Sequence, residues 1–400
     1  KETGYRLPES GRVKGRWSYE TAVAFCKWVG RKYVEYLETI ITEYKKVCPR
    51  VKSAVNFHLP AIFPAAENPV DVYGIIETVD IVMHDIYPGW HQYPRALDHI
   101  VAFETKFLRD LTDKEFWTIL QGHKIMLGYA PSLERIEKWA IDAVNAGSDF
   151  VGWYAHEHNY MIGIQVPLKT MYTKYGCPER WRKMLEVSKK ITKLEKRGSK
   201  ANVAILASYE SILAYGWRPL MYTYITINRD AGIEVDFITE KQIKENPGKL
   251  EKYNYMILGH TPIIDETILP ILEKHVENGA TLIACCNDIQ YNEKLKPLEE
   301  WRKRLFGIIK EKTFWRNLTI TVTIPGLEDV KLKGFWERRA ITETIEVKVL
   351  ATWENGKPVI TAKKIGKGQT IYIATQPYLA NCIDNQRGWI QVFKKIIVHQ

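Results

Sequence analysis

The chain has no run of about 18 apolar residues, so no segment is a candidate membrane-spanning helix. It has no initiator methionine and no signal-peptide pattern, and it is expected to be part of something longer or a processed piece. Cellular location stays open between cytoplasmic and extracellular. Cysteine is scarce: six in 400 residues, none in C-x-x-C spacing, which argues against a zinc ribbon or a thioredoxin-like site. Cys285 and Cys286 stand side by side in an apolar run and are expected to be buried thiols. There is no H-E-x-x-H, no G-x-G-x-x-G and no P-loop, so neither a metal nor a nucleotide cofactor is expected. The net charge of +10, from 57 basic and 47 acidic side chains, is interleaved, as in Glu179-Arg180-Trp181-Arg182-Lys183. That pattern describes a solvated surface and not a nucleic-acid face. No internal repeat or low-complexity tract occurs.

What is plentiful is aromatic surface. Thirteen Trp and 22 Tyr pair large apolar faces with polar tips, which suits sugar-like ligands or large cores in a heat-adapted protein. The Lys, Glu, Ile and Tyr content is compatible with a thermophilic source. A length of 400 residues implies two to three domains.

Residues 1–16 read as a polar loop, followed by a long helix from about Ser18 to Val47 that Pro49 ends. Four strand-like runs follow: Ser53–His58, Val79–His84, Phe116–Gln121 and Phe150–Tyr154. Helices are expected between them at about 70–77, 94–112 and 132–146. Strands alternating with helices imply βαβ units and a parallel sheet. Each strand ends in polar or aromatic residues, and in a parallel α/β barrel those carboxyl ends carry the chemistry. Four units make half of an eight-stranded (TIM-type) barrel. Alone they would leave apolar inner side chains and two sheet edges in water, so the other half should come from an N-terminal part or a second polypeptide.

A basic amphipathic helix, 179–196, leads to a junction at Arg197-Gly198-Ser199-Lys200. This gives two domains, 1–197 and 198–400. Beyond the junction, strands at 202–207, 234–238, 255–258 and 281–285 alternate with helices at about 211–229, 239–246 and 265–278. That is the pattern of a doubly wound α/β domain of the flavodoxin or glutamine-amidotransferase kind. From about 315 the sequence turns β-rich, with hairpin signals at Asn355-Gly356 and Gly366-Lys367-Gly368 and a final helix at about 387–399. A single N-glycosylation sequon, Asn317-Leu318-Thr319, is too common by chance to fix location.

Three stretches, taken in order, resemble the family 42 glycoside hydrolases, β-galactosidases of the (β/α)8 type. Val79-Asp80-Ile81-Val82-Met83-His84-Asp85-Ile86-Tyr87-Pro88 is similar to the family's sixth strand with its Asp-x-Tyr-Pro ending. Phe107-Leu108-Arg109-Asp110-Leu111 through Lys114-Glu115-Phe116-Trp117 is similar to helix six entering strand seven. Leu350-Ala351 to Gly356-Lys357-Pro358, then Gly366-Lys367-Gly368 to Tyr372-Ile373-Ala374-Thr375, is similar to the end of the α/β trimerisation domain. The resemblance implies a carbohydrate substrate, a homo-oligomer (a trimer), and a retaining mechanism with two glutamates. The acid/base would follow strand four, which this chain does not contain. The nucleophile would end strand seven, where Gln121 or Leu120 holds the place and no carboxylate occurs between Glu115 and Glu134. An amide is too weak a nucleophile to form a glycosyl ester. An atypical or inactive glycan-binding relative is therefore the alternative to a hydrolase.

The candidate catalytic residues are Asp85, at a strand end, and Glu157, flanked by histidines past the last strand of the half-barrel. Asp85 could bind sugar hydroxyls or serve as an acid, or simply cap a turn. Asn56, His58, Tyr87, Trp90, Gln121, His123, Trp153 and His156 are the candidate substrate-binding residues, with Trp90 and Trp153 as stacking platforms. Trp153 could equally be core. His84, His123, His156 and His158 are too dispersed to suggest a metal. Glu104 falls on helical spacing (Leu97, Ile100, Phe103, Phe107, Leu108, Leu111) and is expected to be a surface carboxylate.

Overall fold

The computed structural model describes residues 19–59, 71–90, 94–123, 130–154, 178–194, 198–314 and 318–398. Asn317 lies outside them. Apart from the start of the first helix, the chain divides into two compact units at Gly198/Ser199.

The first unit opens with α1 (Tyr19–Val47). It continues with β1 (Ala54–Phe57), α2 (Val72–Thr78), β2 (Ile81–Ile86), α3 (Pro94–Leu111), β3 (Glu115–Gln121), α4 (Leu133–Asn145), β4 (Phe150–Tyr154) and α5 (Pro178–Ile191). The strands form one sheet in the order β1-β2-β3-β4, parallel throughout. Local chemistry starts the helices. The Asp71 carboxylate accepts the Gly74 N–H at the head of α2, and the Ser132 hydroxyl accepts the Arg135 N–H at the head of α4.

Because side chains alternate across a strand, the sheet has two unlike faces. Val82, His84, Phe116, Thr118 and Leu120 share one face and are fully buried. Each of Val82, Phe116 and Leu120 contributes about 1.5–3 kcal/mol by leaving water. The other face carries Asn56, Met83, Asp85, Trp117, Ile119, Gln121, Phe150, Gly152 and Tyr154. There Met83, Trp117 and Ile119 are only half-buried, and Phe150 keeps 50% of its surface in water. A closed barrel fills this interior with layered side chains. Among the described residues it stays open, with β1 and β4 as free edges.

The second unit runs β5 (Val203–Ala207), α6 (Tyr209–Tyr215), α7 (Arg218–Tyr224), β6 (Val235–Thr239), α8 (Glu240–Glu245), β7 (Tyr255–Leu258), β8 (Ile263–Ile264), α9 (Leu269–Glu277), β9 (Thr281–Cys285), β10 (Tyr291–Asn292) and α10 (Glu299–Phe306). It ends with β11 (Ile308–Phe314), β12 (Thr319–Val322), β13 (Leu332–Lys333), β14 (Arg338–Thr344), β15 (Val347–Trp353), β16 (Pro358–Ile365), β17 (Gly368–Ile373), α11 (Pro377–Ile383) and α12 (Gly388–Val398). Nine strands make one mixed sheet in the order β13-β12-β15-β16-β17-β9-β7-β5-β6. Its parallel half is the expected doubly wound core. The β-rich segment does not stand apart: β17 pairs in parallel with β9 and extends the same sheet. The two hairpin turns occur as the sequence indicates, with Gly356 at φ 79° and Gly366 at φ 56°.

The expected single helix over 211–229 is three pieces: α6, α7 and a π-helical turn at 225–230. Gly216, at φ 76°, ends the first piece, and Pro219 begins the next. The β11–β14 ribbon has no counterpart in the sequence reading, because its exposed, charged strands carry little apolar alternation. Cys285 and Cys286 are buried free thiols. No helix among the described residues is long and apolar enough to cross a membrane.

Candidate functional site

The open face of the first unit gathers its polar residues at the carboxyl ends of its strands. Asp85 is 4% exposed there. Its Oδ2 accepts two hydrogen bonds, from Asn56 Nδ2 at 2.5 Å and from the Tyr87 hydroxyl at 2.7 Å. Its Oδ1 is buried with no partner among the described residues. One oxygen therefore fixes the carboxylate and the other is left as a free acceptor, an arrangement that is costly unless something binds to it. Burial, the Asp85 hydrogen bond and the Asp85 charge together push the Tyr87 phenol far above its ordinary value, so it stays a donor. Burial and the same charge also raise Tyr154.

Rings cluster beside this carboxylate, linked to it through Tyr87. Tyr87 lies 5.0 Å from His58, 5.4 Å from His123 and 5.4 Å from Tyr154, and His123 lies 5.2 Å from Tyr154, centroid to centroid. The backbone holds them in place. His58 Nδ1 donates to the Asp85 carbonyl at 2.9 Å, and His123 Nδ1 donates to the Tyr154 carbonyl at 3.1 Å. Strand alternation puts Asn56, Asp85, Gln121 and Tyr154 on one side, so four successive strand ends converge.

Asn56, His58, Asp85, Tyr87 and His123 are thus brought together. Gln121 is adjacent but fully buried: its Oε1 accepts the Gly89 N–H at 2.8 Å, and its Nε2 donates to the His123 carbonyl at 2.9 Å. Its amide clamps the two loops that carry Tyr87 and His123. Leu120 lies on the helix-covered face, so Gln121 is the residue that β3 presents at its inner end. For Trp153 the sequence left a stacking platform and a core position open, and its placement is that of a packed side chain. It sits one residue out of phase with Gly152 and Tyr154, and its indole N–H donates to Ser188 Oγ of α5 at 3.0 Å, so it packs against the helix layer. Glu157 and His156 lie outside the described residues, as does the side chain of Trp90. Tyr154 went unrecognised as a site residue; the alternation of 150, 152 and 154 was the signal for it.

Glu104 is a correction. It is on a helix, α3, as expected, but only 2% exposed, with Oε2 3.4 Å from His84 Nε2. That nitrogen also accepts the Leu59 N–H at 3.1 Å. Burial pushes the Glu104 carboxyl well above its ordinary 4.5, while burial and then the neighbouring His58 hold His84 well below 6.5. Both shifts favour the uncharged forms, so burial works against an ion pair at this contact. The pair braces β2 from behind, immediately before Asp85.

Linkage gives a test. An unfolded chain ionises Glu104 near 4.5, so above that pH the unfolded state binds fewer protons and stability falls as pH rises. His84 acts in the opposite sense, costing stability only below about 6.5. Glu104→Gln removes the first effect alone. Its urea midpoint is expected to match the parent near pH 4 and to exceed it at pH 8; a midpoint at pH 8 equal to or below the parent's would refute the neutral pair.

Among the described residues no group of His, Cys, Asp and Glu could hold a metal ion. Comparison with known proteins adds the following. Residues 201–398 match the family model described as the β-galactosidase trimerisation domain. No curated protein matches the sequence. Among solved structures, a catalytic mutant of Gan42B, a GH42 β-galactosidase from G. stearothermophilus, is 17% identical with a TM-score of 0.77, over 98% of this chain and 60% of that one. The cold-adapted β-galactosidase from Rahnella sp. is 16% identical with a TM-score of 0.78, over the same shares. The exo-β-1,4-mannosidase Op5Man5 from an Opitutaceae bacterium is 12% identical with a TM-score of 0.62, over 92% of this chain and 69% of that one. The chain thus spans about 60% of the length of the β-galactosidases it resembles. At these identities the likeness establishes a shared fold: part of a barrel followed by a trimerisation domain.

Proposed function

Starting from a chain built like the later part of the glycoside hydrolase family 42 β-galactosidases, with their trimerisation domain over residues 201–398, we propose that it is a carbohydrate-active protein acting on β-glycosides. The observation that carries this reading is the Asp85 carboxylate, buried and anchored through one oxygen, with the other oxygen unpartnered among the described residues, beside a cluster of aromatic and imidazole side chains. A free carboxylate oxygen accepts sugar hydroxyls, and ring faces pack against the C–H faces of a pyranose. His58, His123 and Tyr87 would line the subsite and Asn56 would fix the carboxylate. Gln121 would set the loops; Glu157 as a further acid, and His156 and Trp90 as substrate contacts, stay proposals from the sequence, since Glu157, His156 and the Trp90 side chain lie outside the described residues. No cofactor is required.

The half-barrel would be completed by a second set of β/α units, from the same precursor or another chain. The half-exposed Met83, Trp117, Ile119 and Phe150 support that, since they would become the layered interior of a closed barrel. The homo-oligomer would assemble through the trimerisation domain.

A second reading, a glycan-binding relative without hydrolysis, is favoured by one observation. Gln121, an amide committed to backbone groups, ends β3 on the inner face where the resemblance calls for a glutamate. Supplying the complementary half-barrel and assaying p-nitrophenyl β-galactoside separates the two. Turnover that rises with the complement supports hydrolysis. Saturable galactoside binding without turnover supports the second reading. Absence of both rejects the carbohydrate proposal.

A further inference from the structure

The second unit has its own convergence of strand ends. β5 lies between β6 and β7, so the sheet grows in opposite directions from it, and ligands of open α/β sheets bind outside the carboxyl ends of strands at such a switch point. Around that edge stand three exposed rings: Tyr215 at the end of α6, Tyr291 on β10 and Trp336, with 50%, 41% and 64% of their surfaces in water. Tyr215 meets His260, just beyond β7, edge-on at 5.3 Å. Ser211 of α6 donates to the Ile263 carbonyl at 2.6 Å, and Ile263 pairs with Tyr291, so one small frame holds both tyrosines. The Glu337 carbonyl lies 3.6 Å from Cys286 Sγ, which ties the Trp336 turn to the end of β9. His260, Ile289 and Trp336 all sit at positive φ (66°, 53° and 58°), a strained conformation for such residues and one that collects at ligand clamps.

The floor of this edge is electrically balanced. The Arg339 guanidinium is taken up by Glu337, Glu311, Gln290 and Asn287, and Arg302 by Glu311. Two cations meet two carboxylates, so neither arginine is spare to hold an anionic ligand; the buried Asp288 lies beside them, its carboxyl raised by burial to about 7. Burial holds the His260 imidazole down to about 4, against an opposing contact with Gln376, and pushes the Cys286 thiol up. Near neutral pH both side chains are therefore uncharged. The site does offer His260 Nδ1 and Thr261 Oγ1, both buried and without a partner among the described residues.

We propose that Trp336, Tyr215 and Tyr291 form a second saccharide-binding site, separate from the Asp85 cluster, at the carboxyl ends of β5, β7 and β9. Neutral hydroxyls matched to His260 and Thr261, and a pyranose face matched to three rings, describe an uncharged sugar better than a nucleotide or an acid.

The test titrates lactose into the full chain by calorimetry, in an Asp85→Ala background that silences the first site. The expected result is residual saturable binding, weakened at least about tenfold by adding Trp336→Ala and largely restored by Trp336→Phe. Unchanged urea midpoints exclude a folding defect. No lactose binding in the Asp85→Ala chain, or binding indifferent to Trp336→Ala, overturns the proposal. So does a sedimentation mass that drops with Trp336→Ala, which would make the patch a subunit contact. Comparing Trp336→Ala with the double variant reads the Asp85 site by itself, so the failure of either site is recognised separately.

Discussion

Asp85→Ala, in the barrel completed by its second half, is expected to remove glycoside turnover while leaving the fold intact. If the carboxylate takes part in proton transfer, the loss in kcat is about 10²–10⁴-fold. If it only holds a sugar hydroxyl, the loss is in affinity, about 1.5–3 kcal/mol for a charged hydrogen bond. The split between kcat and KM therefore assigns its role. Asp85→Asn retains the shape and one acceptor, and should keep more binding than alanine does. Tyr87→Phe deletes one of the two donors to Oδ2 and is expected to have an intermediate effect. Full activity in Asp85→Ala would remove the basis of the proposed site.

Glu311→Ala is expected to destabilise the second unit by about 3–5 kcal/mol, because it leaves buried cations without their counter-charge. Glu311 Oε1 lies 2.7 Å from Arg302 and also contacts Arg339, while Oε2 accepts the Tyr372 hydroxyl at 2.7 Å. Arg302 and Glu311 are both nearly buried. Arg339 keeps Glu337 as a partner after the substitution, but Arg302 keeps no other carboxylate within ion-pair distance among the described residues, only the longer-range charge of Asp288. Urea unfolding followed by near-ultraviolet circular dichroism measures the change. A loss under about 1 kcal/mol would mean that the network is solvated and not structural.

Periodicity made the parallel strands and helices of both units legible, since burial on one face leaves a repeat in the sequence. The hairpins at Asn355-Gly356 and Gly366-Lys367 were legible because a positive φ selects glycine. The ribbon of β11 and β14 was not: its side chains are mostly exposed, so no repeat marks it, and the partner of Glu311 could not be named. Likewise Trp153 and Tyr154 are adjacent in sequence and both aromatic, and only the strand's phase sends one to the helix layer and the other to the site.

The sequence by itself determined which residue types gather at the strand ends, and that the first four strands are parallel. Only the tertiary structure decided that one Asp85 oxygen has no partner among the described residues, that Glu104 is buried against His84, and that β17 joins β9 in one sheet. The reason is physical. Local pattern records which face of an element avoids water, whereas hydrogen-bond partners and strand neighbours are set by residues far away in the chain, and no local repeat encodes them.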